Sequence, residues 1–366
     1  MMIRAGLLIV TLFATAASAA ASVPAPPTNL AQRSLITWTA RDVRCDGQSI
    51  TPVVMVRPQP GLGWQMPQTA TVDDRFRIDA SGRPLSITRS SPAFRVGATD
   101  IEPSLAVARF AAGAPKADCT ISYAARATAI PQSAPADLAA YAAAPVDGQL
   151  PLEGWQHIRP TARDCLATPR PAPLLRAFPD FDRIAARPGI RDWSMIGFDL
   201  DKRGRPVRTS VAFGSGNAAL NAAAVRAVRR SRFALGARAG CVYPYWRNAA
   251  SLAAPPAPAV ASLRPAGARC AEDSGWASPP ALIYPQSYRR RAIEGWAVIG
   301  FDVAPWGETG NLHVLASEPA AAFGEQAVQM LRGARKAVSP LGRSGCVEMV
   351  RFVMVDRGGG WEPATD

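Results

Sequence analysis

The sequence predicts an α+β protein made of three copies of one unit, each a small antiparallel sheet with one or two helices and one disulfide. A strand-like segment with a central phenylalanine recurs along the chain, and a glycine follows that phenylalanine at a constant distance. The three pairs are Phe76 and Gly82, Phe198 and Gly204, and Phe301 and Gly307. A fixed internal period is the sequence signature of repeats.

The cysteines follow the same period. One cysteine precedes each hairpin and one follows each predicted helix, at separations of 74, 76 and 76 residues. The absence of a Cys-x-x-Cys motif favours disulfides in an oxidising compartment over zinc. The repeat therefore predicts the bridges Cys45–Cys119, Cys165–Cys241 and Cys270–Cys346.

Residues 1–19 have the pattern of a secretory signal peptide. A short basic start ends at Arg4, an apolar run covers residues 5–16, and Ala17-Ser18-Ala19 gives a small-residue exit. The alternative is an uncleaved anchor, although the run is shorter than the ~20 residues that span a bilayer. We expect a periplasmic protein that keeps no stable membrane span after cleavage.

The first unit covers residues 35–124 and has the least regular pattern. Pro58, Pro60 and Pro67 occupy the place where the other units are expected to form a helix, so this unit has lost or remodelled that element. Its expected elements are a strand at 35–43, a hairpin at 75–79 and 85–88, a helix at 104–111 and a closing strand at 119–123.

The second unit covers residues 152–250 and contains the clearest helix, 217–230, in which Leu220, Ala224 and Val228 share one face. Pro244 lies in the closing strand and cannot donate a ladder hydrogen bond, which marks that strand as an edge or shortens it. Two segments rich in alanine and proline separate the units. They are residues 124–151, with a short helix at 136–143, and residues 251–268, expected to be extended and to let the third unit move.

The third unit, residues 269–356, carries the most specific pattern. Tyr284-Pro285 precedes an Arg-rich segment, an apolar strand at 297–303, a turn with Gly307, a helix at 323–332 and a last strand at 346–355. This order resembles the C-terminal domain of the TonB energy-transducer family. The other two units then read as weaker copies, and the fold class becomes three TonB C-terminal-like repeats.

The resemblance implies a partner site on the last strand. In that family the edge strand takes up a short peptide of an outer-membrane receptor, and the residues around Tyr-Pro lie nearby. An edge strand offers unpaired N–H and C=O groups to an extended segment. The implied partner-binding residues are Tyr284, Pro285, Val347, Glu348, Met349, Val350, Arg351, Phe352 and Val353. The alternative is that the strand is covered by another unit.

Three departures from the family concern its contact to the bound peptide and its energy transduction. Ile283 stands where the family has a glutamine, the long Pro-Glu and Pro-Lys spacer is absent, and the leader lacks the family's intramembrane histidine. The implied partner is an outer-membrane receptor peptide or another envelope protein. Fold can carry over without the transducer activity.

The sequence offers no catalytic, metal or cofactor motif. His157 and His313 lie in different units, and we expect the first in a loop and the second on a strand. We place Trp193 and Trp296 in the core, and we expect a helix to pack closely on Gly197 and Gly300. The net charge of +13 leaves a second function open, an envelope structural module that binds anionic wall or lipid polymers. Nucleic acid is not expected in this compartment.

Overall fold

The computed structural model describes residues 33–64, 69–91, 95–159, 164–234, 236–270 and 275–354. The predicted signal peptide lies outside these ranges. The described chain is an α+β protein with small antiparallel sheets, six α-helices and three disulfides. None of those six helices is long and apolar enough to cross a membrane.

The first sheet is formed by six strands in the order β2-β1-β6-β4-β5, with β3 paired to β1. The strands are β1 (Arg33–Cys45), β2 (Gln48–Ile50), β3 (Gly61–Trp64), β4 (Thr69–Ile78), β5 (Pro84–Arg89) and β6 (Lys116–Ala129). Helix α1 (Ile101–Val107) starts three residues earlier than predicted because Pro103 fits its first turn. The closing strand β6 continues past residue 123 because it pairs with β1 along most of its length.

Two helices follow the first sheet. They are α2 (Pro135–Ala143) and α3 (Leu152–Ile158). The first lies in the predicted linker, residues 124–151, and matches the short helix expected at 136–143, while the second begins the predicted second unit. Leu138 and Tyr141 of α2 are fully buried and share a core cluster with Met195 of the next sheet. His157 is in α3, so its predicted position in a loop is wrong; the ring bonds the Ser133 carbonyl at 3.0 Å.

The second sheet has the order β11-β8-β9. Its region contains β7 (Pro173–Leu175), β8 (Asp192–Leu200), β9 (Pro206–Gly214), α4 (Ala218–Arg230), β10 (Arg232–Phe233) and β11 (Arg238–Arg247). Helix α4 matches its prediction, and the Asn217 side chain caps it by accepting a hydrogen bond from the Leu220 N–H at 3.0 Å. Strand β11 lies at the edge of the sheet, as Pro244 predicted.

The third sheet has the order β14-β13-β16. Its region contains β12 (Trp276–Ser278), α5 (Gln286–Arg290), β13 (Gly295–Val303), β14 (Thr309–Glu318), α6 (Ala321–Arg332), β15 (Arg335–Lys336) and β16 (Arg343–Phe352). His313 lies on β14, as predicted. The β7–β10 ribbon of the second region has its counterpart in the β12–β15 ribbon here.

The strand that carries the recurring phenylalanine has the same register in each sheet. Phe76 pairs with Cys119, Phe198 with Cys241 and Phe301 with Cys346. The hairpin of each sheet also contains a bulge at the same position, where a residue with positive φ follows the turn. These residues are Ser86, Arg208 and Asn311.

Each bulge residue contacts the residue after the central phenylalanine. The Asp199 carboxylate accepts from the Arg208 Nε at 2.6 Å and from the Gly240 N–H at 2.6 Å. The Asp302 carboxylate likewise accepts from Asn311 Nδ2 at 2.6 Å and from the Gly345 N–H at 2.9 Å. In the first sheet the Arg77 Nε donates to Ser86 Oγ at 3.0 Å.

The hairpin glycines share one environment. Gly82, Gly204 and Gly307 all have positive φ, and a Cβ at any of them would collide with a carbonyl oxygen of the segment that follows the helix. Their own carbonyls accept hydrogen bonds of 2.9 to 3.0 Å from the N–H groups of Phe110, Phe233 and Lys336. This close approach explains why glycine recurs at this spacing.

The three predicted disulfides are confirmed: Cys45–Cys119, Cys165–Cys241 and Cys270–Cys346. Every cysteine of the chain is bridged, so none is free. Cross-links of this length reduce the entropy of the unfolded chain and stabilise each region by roughly 4 kcal/mol in the chain-entropy model.

We call the parts of the chain around the first, second and third sheets the first, second and third regions. The first and third regions share one hydrophobic core. Tyr288 and Phe323, from α5 and α6, are fully buried in the same cluster as Trp38 and Leu105. The Glu318 carboxylate accepts hydrogen bonds from the backbone and side chain of Ser86, both at 2.7 Å. The third region therefore packs on the first.

A buried ion pair joins all three regions. The Arg291 guanidinium makes a two-point contact with the Asp100 carboxylate and also donates to the carbonyls of Gly189 and Arg57, each at 3.3 Å. Both charged side chains are only 10% exposed. Their desolvation is offset by these hydrogen bonds.

Two expectations fail in this packing. Residues 251–268 do not free the third region, because Leu252 pairs with Ile293 and the Trp296 Nε1 donates to the Pro255 carbonyl at 2.9 Å. A Cβ at Gly300 would meet the His313 ring at 2.6 Å, so a strand neighbour makes the close approach rather than a helix. Trp296 is 5% exposed and belongs to the core, as predicted.

Candidate functional site

Strand β16 lies at the edge of the third sheet and pairs with β13 alone among the described strands. Its register places Gly295 beside Phe352 and Ile299 beside Glu348. The strand contains no proline, so every residue on it has an N–H group. Its outer edge can therefore accept another extended segment.

The other two sheets differ at the corresponding edge. In the first sheet the equivalent strand β6 is covered by β1, which pairs with it from Ser34 to Cys45. In the second sheet β11 is an edge strand, but Pro244 has no N–H to donate. Of the three closing strands, β16 offers the longest uninterrupted edge.

Side chains alternate along β16 as the pleat requires. Val350 and Phe352 are buried against α6, and the Phe352 ring lies 5.2 Å from the ring of Phe323. Met349 is half-buried and Arg351 is exposed on the opposite face. One face of the strand thus anchors it to the core, while on the other face Arg351 is exposed and Val347 and Met349 are half-buried.

Tyr284 and Pro285 are both buried. The Tyr284 hydroxyl donates to the Ile293 carbonyl at 2.6 Å and lies 3.3 Å from the Phe352 carbonyl at the end of β16. Burial, and then the charge of Glu294, raises the pKa of Tyr284 well above its ordinary value. The Tyr284 side chain therefore contacts the end of β16 from a buried position, and little of it is exposed.

The residues before Tyr284 are exposed instead. Leu282 and Ile283 are 57% and 53% exposed, and Val353 at the end of β16 is 52% exposed. Sequence reasoning treated Ile283 only as a departure from the family pattern. An apolar pair directly before Tyr-Pro was the signal that could have identified this surface.

The charged side chains near β16 are partly neutralised. Glu348 pairs with Lys336 at 3.3 Å, and the Lys336 ammonium lies 3.9 Å from the centre of the Trp276 ring. The N–H of Met354 donates to Glu294 Oε1 at 2.9 Å. Arg351 remains as the exposed charge on the strand itself.

Residues 251–268 pass beside this strand. The segment starts at Leu252, next to Ile293, and reaches the beginning of β16, where the N–H of Arg269 donates to the Ser344 carbonyl at 2.9 Å. Arg269 directly follows the segment, and among the described residues this is the one backbone hydrogen bond between residues 251–269 and β16. The turn at Val260–Leu263 also lies near β16, so the segment flanks the strand without adding a paired strand to it.

Metal chemistry has no visible basis here. Within the described ranges no three side chains of His, Cys, Asp and Glu are grouped so that they could hold a metal ion. His313 Nδ1 lies 2.7 Å from the Asn311 carbonyl, which holds the ring against β13.

Comparison with known proteins assigns the third region to a class of non-catalytic protein-interaction domain. Residues 280–353 match the family described as "Gram-negative bacterial TonB protein C-terminal". This segment is therefore similar to the TonB C-terminal domain. The match does not extend to the first and second sheets.

A solved structure also aligns with part of the chain. The solution NMR structure of the Pseudomonas aeruginosa TonB C-terminal domain is 22% identical, covers 25% of this chain and 99% of its own, and has a TM-score of 0.22. A TM-score of this size supports no argument, so the assignment depends on the family match. No curated protein matches the chain.

Proposed function

We propose that the chain is a non-enzymatic periplasmic protein of the TonB C-terminal type, which binds an extended segment of a partner by β-strand addition at β16. It acts in or beside TonB-dependent outer-membrane transport, and its partner is a receptor peptide or another envelope protein. The observation that carries the proposal is the unpaired, proline-free edge of β16 inside the matched segment. Backbone pairing there would supply affinity, and flanking side chains selectivity.

The selectivity would come from the exposed face around β16. Val347, Met349 and Arg351 alternate on that face, and the exposed Ile283 lies just before the tyrosine that braces the strand's end. A partner segment with apolar residues at alternate positions and an acidic residue opposite Arg351 fits this pattern.

We further propose that the first and second regions are copies of the third. The shared register of Phe76, Phe198 and Phe301, the repeated bulge and the repeated glycine contact support a common origin. The first two copies would have a structural role rather than a binding role. In the first copy β1 covers the edge of β6, and in the second copy Pro244 interrupts the edge of β11.

The test uses synthetic peptides from outer-membrane receptors of the source bacterium, titrated into the full protein and followed by backbone amide NMR. Strand addition predicts slowed amide exchange at alternate residues of β16, because only every second N–H points outward. A peptide N-methylated at its pairing positions should bind at least about tenfold more weakly, since it loses several backbone hydrogen bonds.

The matched control is the same peptide N-methylated at the positions between, which should bind normally. Raising the salt from low to high should leave the affinity within roughly threefold, because the pairing groups are uncharged. Binding that ignores N-methylation and collapses with salt would contradict strand addition. That result would favour the envelope module that holds anionic polymers.

A further inference from the structure

A cavity of about 580 Å³ lies where the three regions meet. Residues 54–60 and Asp100 of the first region, helix α2, residues 187–215 of the second region, and Arg290 and Arg291 of the third all contribute to its wall. Its volume is in the range that holds a small organic molecule. We call it the junction cavity.

Five arginines line the junction cavity, and three of them already have a carboxylate partner. Arg57 pairs with Asp137, Arg187 with Asp192 and Arg291 with Asp100. Asp192 is fully used, since Ser215 Oγ and Asn217 Nδ2 also donate to it at 2.8 and 2.9 Å. Asp100 likewise accepts from the Gln59 N–H at 2.6 Å.

The remaining two arginines have no such partner among the described residues. Arg191 Nε is buried and makes no hydrogen bond, and its guanidinium lies 5.4 Å from the centre of the Trp246 ring, which orients it. Arg290 is exposed and lies nearby. Burial of Arg191, followed by the positive charge of Arg290, lowers the pKa of Arg191 to about 10. Two adjacent cations without a counter-ion are unfavourable unless an anion joins them.

The rest of the wall is largely apolar. Met55, Ile190, Trp193 and Phe213 line the same space. A ligand that matches the cavity therefore has a negatively charged group at one end and an apolar body at the other. Arginine recognises carboxylate, sulfonate and phosphate oxygens through paired N–H donors.

We propose that the junction cavity binds a small organic anion whose charged group pairs with Arg191 and Arg290 and whose apolar body contacts Trp193 and Phe213. This site is separate from β16. Its ligand would bridge the second and third regions, because Arg191 and Arg290 come from different ones.

The test is a fluorescence titration of the full protein with 8-anilinonaphthalene-1-sulfonate, and with N-phenyl-1-naphthylamine as the uncharged probe of similar shape. The sulfonate should bind at least about tenfold more tightly. The double variant Arg191→Gln/Arg290→Gln should weaken sulfonate binding by a similar factor and leave the uncharged probe unchanged. Arg203→Gln/Arg226→Gln is the control, because both residues are exposed, lie outside the cavity and give the same net charge.

Equal weakening in both double variants, or equal binding of the two probes, would overturn the proposal. Thermal unfolding of each variant establishes that it is folded. Competition on the unmodified protein gives a second, mutation-free test: phenyl phosphate should displace the sulfonate probe, while phenol should not. Displacement by phenol at the same concentration would also overturn the proposal.

Discussion

At the residue scale, Asp74 is a buried carboxyl group whose negative charge is poorly stabilised by its neighbours. It is fully buried on β4, neither oxygen accepts a hydrogen bond, and the nearest cation, Arg89, is 3.7 Å away. Arg89 is shared with Glu102 at 3.2 Å. Burial, followed by the charge of Glu102, raises the pKa of Asp74 to about 7.

This pKa predicts how stability depends on pH. Between about pH 4 and pH 7 the folded protein holds a proton on Asp74 that the unfolded chain has lost, so the free energy of unfolding falls as the pH rises. The loss from this group is about 4 kcal/mol by pH 8. Asp74→Asn should remove most of that slope in urea unfolding measured at pH 4, 6 and 8.

Asp46→Asn is the control for this experiment. Asp46 is exposed and has a positive φ that asparagine tolerates well. Its variant should keep the slope of the unmodified protein. An unchanged slope in Asp74→Asn would show that Asp74 does not titrate in this range.

At the element scale, the hairpin glycine ties each β-hairpin to the segment after the helix. Gly307 has a φ of 93°, and a Cβ there would collide with the Lys336 carbonyl oxygen. Gly307→Ala should therefore lower the free energy of unfolding by roughly 1 to 3 kcal/mol. Denaturant unfolding of the variant measures this directly.

Gly310→Ala is the matched substitution in the same hairpin. A Cβ at Gly310 meets nothing within 4 Å, so the change should cost less than about 0.5 kcal/mol. A similar loss in both variants would mean that the carbonyl contact at Gly307 does not constrain the hairpin.

The elements that sequence reasoning found are those specified locally. Hairpins, helix α4 and the disulfides follow from glycine spacing, an apolar face and cysteine spacing, all within one region. Reasoning missed what long-range packing decides, such as the burial of Tyr284 and the extension of β6 beyond residue 123. Arg291 and Asp100 are 191 residues apart, so their pairing leaves no pattern in the local sequence.

At the scale of the whole molecule, the Arg291–Asp100 pair predicts cooperative unfolding. Arg291→Met leaves Asp100 as a buried charge without its partner, which should cost about 3 to 5 kcal/mol. Calorimetry should show one transition for the unmodified protein and a broadened or split transition for the variant. Asp100→Asn in the Arg291→Met background should recover part of the loss.

The exposed pair of Arg335 and Glu308 provides the comparison. Both side chains are 54% exposed, so Arg335→Met should change the free energy of unfolding little and keep a single transition. A small effect of Arg291→Met, equal to that of Arg335→Met, would show that the three regions are held by their shared core alone.

That shared core has a consequence for biosynthesis. The first region is complete on the ribosome long before Tyr288 and Phe323, which finish its core. At translation rates of about 5 to 20 residues per second, the interval is on the order of ten seconds or more. Until the carboxyl-terminal third of the chain has been made, the first region lacks the side chains that complete its core, and the apolar surface that Tyr288 and Phe323 cover is exposed.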